Sequence, residues 1–279
     1  MARGRDLRRF VRRNPTIVIG AAVLIVLLVI ALLAPFISGD PQRLSPVERL
    51  RPPSALHWFG TDNLGRDVFA RTVWGGRISL LVGFSVAAFA TVAGIGIGLL
   101  CYLSGWIEAV AMRVMDGLMA IPSILLAIAL VSLSRASVAT VIVAITIPEI
   151  PRVTRLVRAV MLGVRERPFV EAATAGGSRP LKIMWRHILP ATFPPLIVQA
   201  SYSAASAILI EAGLSFLGAG TPPSIPTWGN MIASSRVFLS AAPWAVFFPG
   251  LSLAVAVLAV NILGDGLRDR LDPRLSRRM

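Results

Sequence analysis

Cysteine, lysine and histidine are nearly missing: the chain has one Cys, one Lys and two His in 279 residues. A lone Cys101 excludes a disulfide scaffold within the chain. The single lysine, Lys182, is followed by Ile183, so the Lys-Ser/Thr end of a phosphate-binding loop is missing. The chain therefore cannot hydrolyse ATP by that route. His57 and His187 fall on opposite sides of the membrane topology read below, no metal-ligand spacing occurs, and no serine has a histidine base on its own span. Enzyme chemistry is not expected. Charge is scarce too, at 15% of residues against about 25% in a soluble domain. What is abundant is apolar surface: 55% of residues are hydrophobic, and the net charge is +14. A basic nucleic-acid binder would be polar and rich in Lys, and a disordered basic chain would lack this apolar content. An integral membrane protein remains, with its excess arginine on one side.

A crossing helix needs about 20 apolar residues. Runs at 16–37, 78–103, 111–133, 137–151, 191–216 and 244–263 give six transmembrane helices in an all-α protein. The fourth is short and marked by proline. The first is longer than a signal-peptide core and reads as an uncleaved anchor. The basic residues segregate under this count. Six lie in 1–15, eight in 152–187 and five from 265 onward, against six in 38–77. The positive-inside rule then puts both termini and the loop before the fifth span in the cytoplasm. The expected organisation is a basic cytoplasmic tail at 1–15, a first span, an outer loop at 38–77, a transmembrane domain at 78–264 and a cytoplasmic tail at 265–279. Within the outer loop, alternating apolar and basic residues from Asp67 to Leu80 predict a helix lying in the membrane interface before the second span.

Ionisable residues at membrane depth are functional candidates because burial is costly. Asp116 stands three residues after Arg113, the spacing of a local helical ion pair. Glu149, between Pro148 and Pro151, reads as solvated near a span end. Glu211 lies deep in the fifth span with no neighbouring cation, and is a candidate for the pathway.

The loop at 165–190 is the most informative stretch. Glu171 to Ala175 favours helix, Gly176-Gly177 stops it, and Pro180 suits the first turn of a second helix. Pro190 is expected to break that helix before the fifth span. The small residues Ala172, Ala173 and Ala175 make the first helix slim enough to enter a groove on a partner.

Here a resemblance appears. Glu171-Ala172-Ala173, the spaced Gly177 and His187-Ile188-Leu189-Pro190 resemble the EAA loop of ABC importer permeases. Leu64-Gly65-Arg66-Asp67 after His57-Trp58-Phe59-Gly60-Thr61-Asp62 resembles the C-type subunit of the dipeptide, oligopeptide and nickel branch. So do Leu214-Ser215-Phe216-Leu217-Gly218 with Pro226-Thr227-Trp228-Gly229-Asn230-Met231, and the C-terminal block from Asn261 to Arg274. The blocks occur in order from about 16 to 275. The chain departs from the pattern at Pro148-Glu149-Ile150-Pro151.

The resemblance implies a type I ABC importer permease fold in a bacterial inner membrane. It implies a homologous second permease, two ABC ATPases holding ATP and magnesium, and an extracytoplasmic substrate-binding protein as partners. Membrane lipid surrounds the chain; no cofactor sits in it, and nucleic acid is not a partner. Glu171, Ala172 and Ala173 would contact an ATPase, Gly177 would make the turn, and His187, Leu189 and Pro190 would set the exit into the fifth span. Trp228 and Asn230, in the Pro226–Met231 block, would close the pathway as a gate, face the binding protein, or act structurally, while Glu211 would face the pathway or pair across helices. Short peptides are the expected solute; nickel, glutathione or another small solute on the same architecture, and a stand-alone secondary carrier, are the alternatives.

Overall fold

The computed structural model describes residues 14–133 and 135–271. Among these, every regular element is helical apart from one isolated bridge between Thr61 and Asp67. The helices are α1 (Pro15–Leu32), the single turn α2 (Ala34–Ile37), α3 (Val68–Leu103), α4 (Gly105–Ala120) and α5 (Ser123–Ser132). They continue with α6 (Val138–Arg165), α7 (Pro168–Ala175), α8 (Pro180–Ile183), α9 (Leu189–Phe216), α10 (Trp228–Ser235) and α11 (Trp244–Leu271). Short 3-10 turns flank them. The all-helical class read from the apolar runs is the class observed.

Among the described residues α1, α3, the run Pro180–Phe216 and α11 are each long and apolar enough to cross a membrane. α4 and α5 pass together but meet at 91°. The bend falls at Ile121, held extended with φ −95° and ψ 129°, because the following Pro122 disfavours the helical conformation in the residue before it. The expected straight third span is thus two helices.

Three further expectations change. The Asp67–Leu80 stretch is no separate interfacial helix. It is the start of the 36-residue α3, capped by Asp67, whose carboxylate accepts from the Ala70 N–H at 3.2 Å. Its first turns are buried at Val68, Ala70, Arg71, Thr72 and Val73, so protein rather than an interface covers them. At 1.5 Å per residue α3 is about 54 Å long, and the extra turns stand beyond a hydrocarbon core of about 30 Å. Secondly, the fourth helix does not end at Pro151; α6 carries Pro148 and Pro151 internally and runs to Arg165. Its packing along α3 outweighs the two lost N–H donors. Thirdly, Pro190 does not break the chain before α9. The turn Met184–Ile188 widens to a π-helix, which removes the clash a proline makes with the carbonyl one turn back. α8, this turn and α9 therefore form one continuous rod.

Close backbone approach holds the bundle. Gly94 and Gly98 of α3 sit against Val153 and Val157 of α6, where a Cβ would come within 2.5 Å of the valine side chains. Gly20 of α1 meets the backbone of Ala259 and Leu263 in α11. Small residues let helices approach where lipid gives no hydrophobic drive for their association. A central cluster joins Leu24 and Ala31 of α1, Leu80 and Ala87 of α3, Ile208 of α9 and Ala256 and Val260 of α11.

Candidate functional site

The 165–190 loop folds as a helix, a glycine turn and a second helix. α7 starts at Pro168, a residue suited to the first helical turn, and stops in a left-handed turn. Ser178 N–H donates to Ala173 O at 3.0 Å and Gly177 N–H to Thr174 O at 3.0 Å, with Gly177 at φ +76°. This is the two-bond glycine stop, which satisfies carbonyls that the helix end leaves free. The base of the loop is anchored. Val170, Ile183, Met184 and Ile188 pack on Leu99 of α3 and on Met161 and Val164 of α6. The opposite surface is open: Glu171, Ala172, Thr174 and Ala175 are exposed, with Phe169, Leu181 and Trp185 standing out at 47%, 52% and 59% exposure.

Each loop residue singled out from sequence finds a place here. Glu171 and Ala172 are on the open surface, and Ala173 is half-buried against the anchoring cluster. The His187 ring is half-buried and lies 5.5 Å from the Phe169 ring, tying the two short helices together. Leu189 joins the same cluster, and Pro190 is exposed in the first turn of α9. Phe169, Ala172, Ala173, Ser178, Lys182 and Arg186 line an open cleft of about 420 Å³.

Glu211, Trp228 and Asn230 gather at the other end of α9, and all three are buried. The carboxylate of Glu211 is fully buried and its Oε1 accepts from Ser215 at 2.9 Å. Trp228 N–H donates to Ser79 Oγ at 3.2 Å and its indole Nε1 to Thr72 O at 3.0 Å, pinning α10 to α3. Asn230 completes a capping box with Thr227 and donates to Ile225 O at 2.6 Å. Trp228 and Asn230 thus hold the segment between α9 and α11 in shape and fasten it to α3.

The 57–67 block forms a second fastening. Asp62 accepts from the Leu64 and Arg66 N–H groups at 2.8 and 2.9 Å and from Arg66 Nε at 2.6 Å. The buried Arg71 guanidinium lies 3.8 Å away. Phe59 stacks on Phe248 of α11 at 3.9 Å, and Trp244 Nε1 donates to Thr61 O at 3.1 Å. Close by, the Glu48 carboxylate is held below its ordinary range, first by a hydrogen bond from the Ser45 side chain and then by His57 and Arg51.

The acids of the spans pair differently from their sequence spacing. Asp116 does not pair with Arg113; it takes Arg155 of α6 at 2.5 Å. Glu149 is not solvated; it is fully buried, with Arg152 at 2.9 Å and Ser203 of α9 donating at 3.2 Å. Glu108 takes Arg158 at 2.6 Å. Spacing along one helix misses these contacts, because two of the acids reach partners 39 and 50 residues away.

Residues 90–277 match the family described as the binding-protein-dependent transport system inner membrane component. The chain belongs to this family. Residues 3–53 match the N-terminal transmembrane domain of oligopeptide transport permease C. A probable peptide ABC transporter permease of Sinorhizobium fredii is 58% identical, covering 97% of this chain and 93% of that protein. The dipeptide transport permease DppC of Alkalihalophilus pseudofirmus is 42% identical over 97% of this chain and 90% of its own length. Among solved structures, the MetNI methionine ABC transporter in an inward-facing form aligns with a TM-score of 0.61. It is 20% identical and covers 74% of this chain and 96% of that chain, which shows a shared type I permease fold. The chain is thus an inner-membrane permease subunit of an ABC importer.

Proposed function

We propose that this permease forms half of the translocation pathway for short peptides and receives the work of ATP hydrolysis through α7. One observation carries the coupling reading. α7 presents a slim, alanine-lined exposed surface while its base is packed into the ends of α3 and α6. A push on such a helix moves the bundle instead of bending a loop. Glu171, Ala172 and Ala173 contact the ATPase in this reading, Gly177 sets the turn, and His187, Leu189 and Pro190 join the turn to α9. ATP and magnesium are held by two ATPase subunits, a homologous permease supplies the other half of the pathway, and an extracytoplasmic binding protein delivers the solute.

Six crossings, with both termini and the 165–190 loop in the cytoplasm, complete the proposal. The bent α4–α5 pair counts as the third crossing and the charged α6 as the fourth. The domain order then follows: tail 1–15, first span 16–37, outer loop 38–77, transmembrane domain 78–264 with the coupling loop inside it, and tail 265–279. The peptide substrate is favoured by the names of the relatives, both of which are peptide permeases.

The test is ATP-dependent uptake of a labelled dipeptide by the reconstituted complex with its binding protein, competed by nickel ion, glutathione and unlabelled dipeptide in turn. Competition by dipeptide alone is the expected result. Competition by nickel or glutathione reassigns the solute. Uptake without ATPase subunits would overturn the importer reading in favour of a stand-alone carrier.

A further inference from the structure

Charges on α4 and α6 lie where lipid would be expected. Gly94 and Gly98 of α3 pack on Val153 and Val157 of α6. That register sets Arg152, Arg155 and Arg158 alongside the inner half of residues 78–103 of α3, a stretch with no charged residue. The three arginines recur every three residues, so they share one side of α6. Each is paired, to Glu149, Asp116 and Glu108 respectively, yet their side chains remain 46%, 45% and 39% exposed. Asp116 itself is 55% exposed. Half-exposed ion pairs at this depth are costly against hydrocarbon and are found where a bundle faces water.

The charges on this face do not balance. Three carboxylates take three arginines. Arg113, exposed on α4 and one turn from Asp116, forms no ion pair among the described residues. Gly117 lies one turn further along α4, and among the described residues no other helix or loop comes within 4 Å of where its Cβ would be. The face therefore carries a surplus positive charge beside open space.

We propose that the α4–α6 face lines a water-filled part of the translocation pathway and that Arg113 on it receives a carboxylate of the passing solute. This deepens the importer reading and rests on it. The guanidinium presents a planar fork of N–H donors that matches a carboxylate. The three paired arginines hold the wall in place, and Arg113 is the guanidinium of this face that has no carboxylate partner among the described residues.

The test uses the complete transporter, with both permeases, the ATPases and the binding protein. Gly117→Cys and Arg113→Cys are treated with a water-soluble anionic methanethiosulfonate, and Phe89→Cys, on an exposed apolar position of α3, serves as the lipid-facing control. At least tenfold faster labelling of positions 113 and 117 than of 89 is expected. Equal rates would place the face in lipid or seal it against the partner subunit, and would overturn the wall. Secondly, the uptake of a free-carboxylate peptide is compared with that of its C-amidated form. Arg113→Gln is expected to lower that ratio by about threefold to tenfold relative to the wild type, the scale of one solvated charge-assisted contact. Arg113→Lys is expected to restore most of it. An unchanged ratio in Arg113→Gln removes the carboxylate role. Labelling does not depend on the solute, so fast labelling in a complex that takes up no peptide would overturn the peptide reading and the role of Arg113, and leave the wall standing.

Discussion

At position 177 the backbone has φ +76°, and the space around a Cβ there is empty. Any loss on substitution therefore comes from the backbone, and not from a clash. A left-handed conformation costs an ordinary residue about 1–2 kcal/mol, while Asn tolerates it. Gly177→Val should weaken copurification of the ATPases and lower binding-protein-stimulated ATP hydrolysis severalfold, and Gly177→Asn should retain most of both. Equal loss in the two variants would mean that the side chain, not the turn, is what the site rejects. Gly177 was legible from sequence because a helix stop is a local device: two glycines after an alanine-rich helix. The partners of Asp116 and Glu108 were not, because α4 and α6 had to be assembled before those side chains met. A second residue-scale prediction concerns Glu48. Its carboxylate lies below the ordinary range in the fold, chiefly through Ser45. Stability from it is present above the unfolded carboxylate pKa and is lost as pH falls through the lowered folded value. Amide protection factors in residues 45–67 of the purified protein, corrected for the intrinsic exchange rate at each pH, should be high near neutrality and fall as the pH drops below about 4. Glu48→Gln should make that fall disappear.

Helix α3 offers an internal comparison at the scale of the element. Gly94 and Gly98 face α6, whereas Gly96 between them has no atom within 4 Å of a Cβ position. Gly94→Ala should destabilise by about 1–3 kcal/mol, the usual cost of overpacking. Gly96→Ala should be neutral or stabilising by up to about 1 kcal/mol, since alanine is the better helix former. Melting of the detergent-solubilised protein followed by circular dichroism checks both, and a lower melting temperature for Gly96→Ala than for Gly94→Ala would contradict the register that places the α6 arginines. At this scale the sequence was legible in its apolar runs and misleading at its prolines. Pro122 made a right-angle bend, as the local rule demands. Pro148 and Pro151 made no end, because α3 packs along α6 on both sides of them. Pro190 made none either, because the π turn before it takes up the misfit. Whether a proline ends a helix was decided by what lay beside it, which its neighbours in sequence do not state.

For the whole molecule the number of membrane crossings decides which side the 165–190 loop faces. Composition alone accepts four long helices and a bent pair, and it passes over α6 because of Glu149, Arg152 and Arg155. Those charges are neutralised in pairs by Glu149 with Arg152 and by Asp116 with Arg155, so treating each charge as isolated overstates the cost of inserting α6. Counting α6 as a crossing puts 19 of the 28 basic residues on one side, as the positive-inside rule requires. Leaving it out would set the 165–190 loop on the side opposite the N-terminal tail, away from any cytoplasmic ATPase. Single cysteines decide between these, because the native Cys101 is buried. Val47, at 85% exposure, probes the outer loop, and the exposed Glu166 probes the coupling loop. With an impermeant maleimide on intact cells whose outer barrier is permeabilised, Val47→Cys should react and Glu166→Cys should stay unlabelled until the inner membrane is opened. Reaction at both positions in closed cells would mean that α6 does not cross. The coupling role of α7 would fall with it, since its exposed alanines would then face away from the nucleotide.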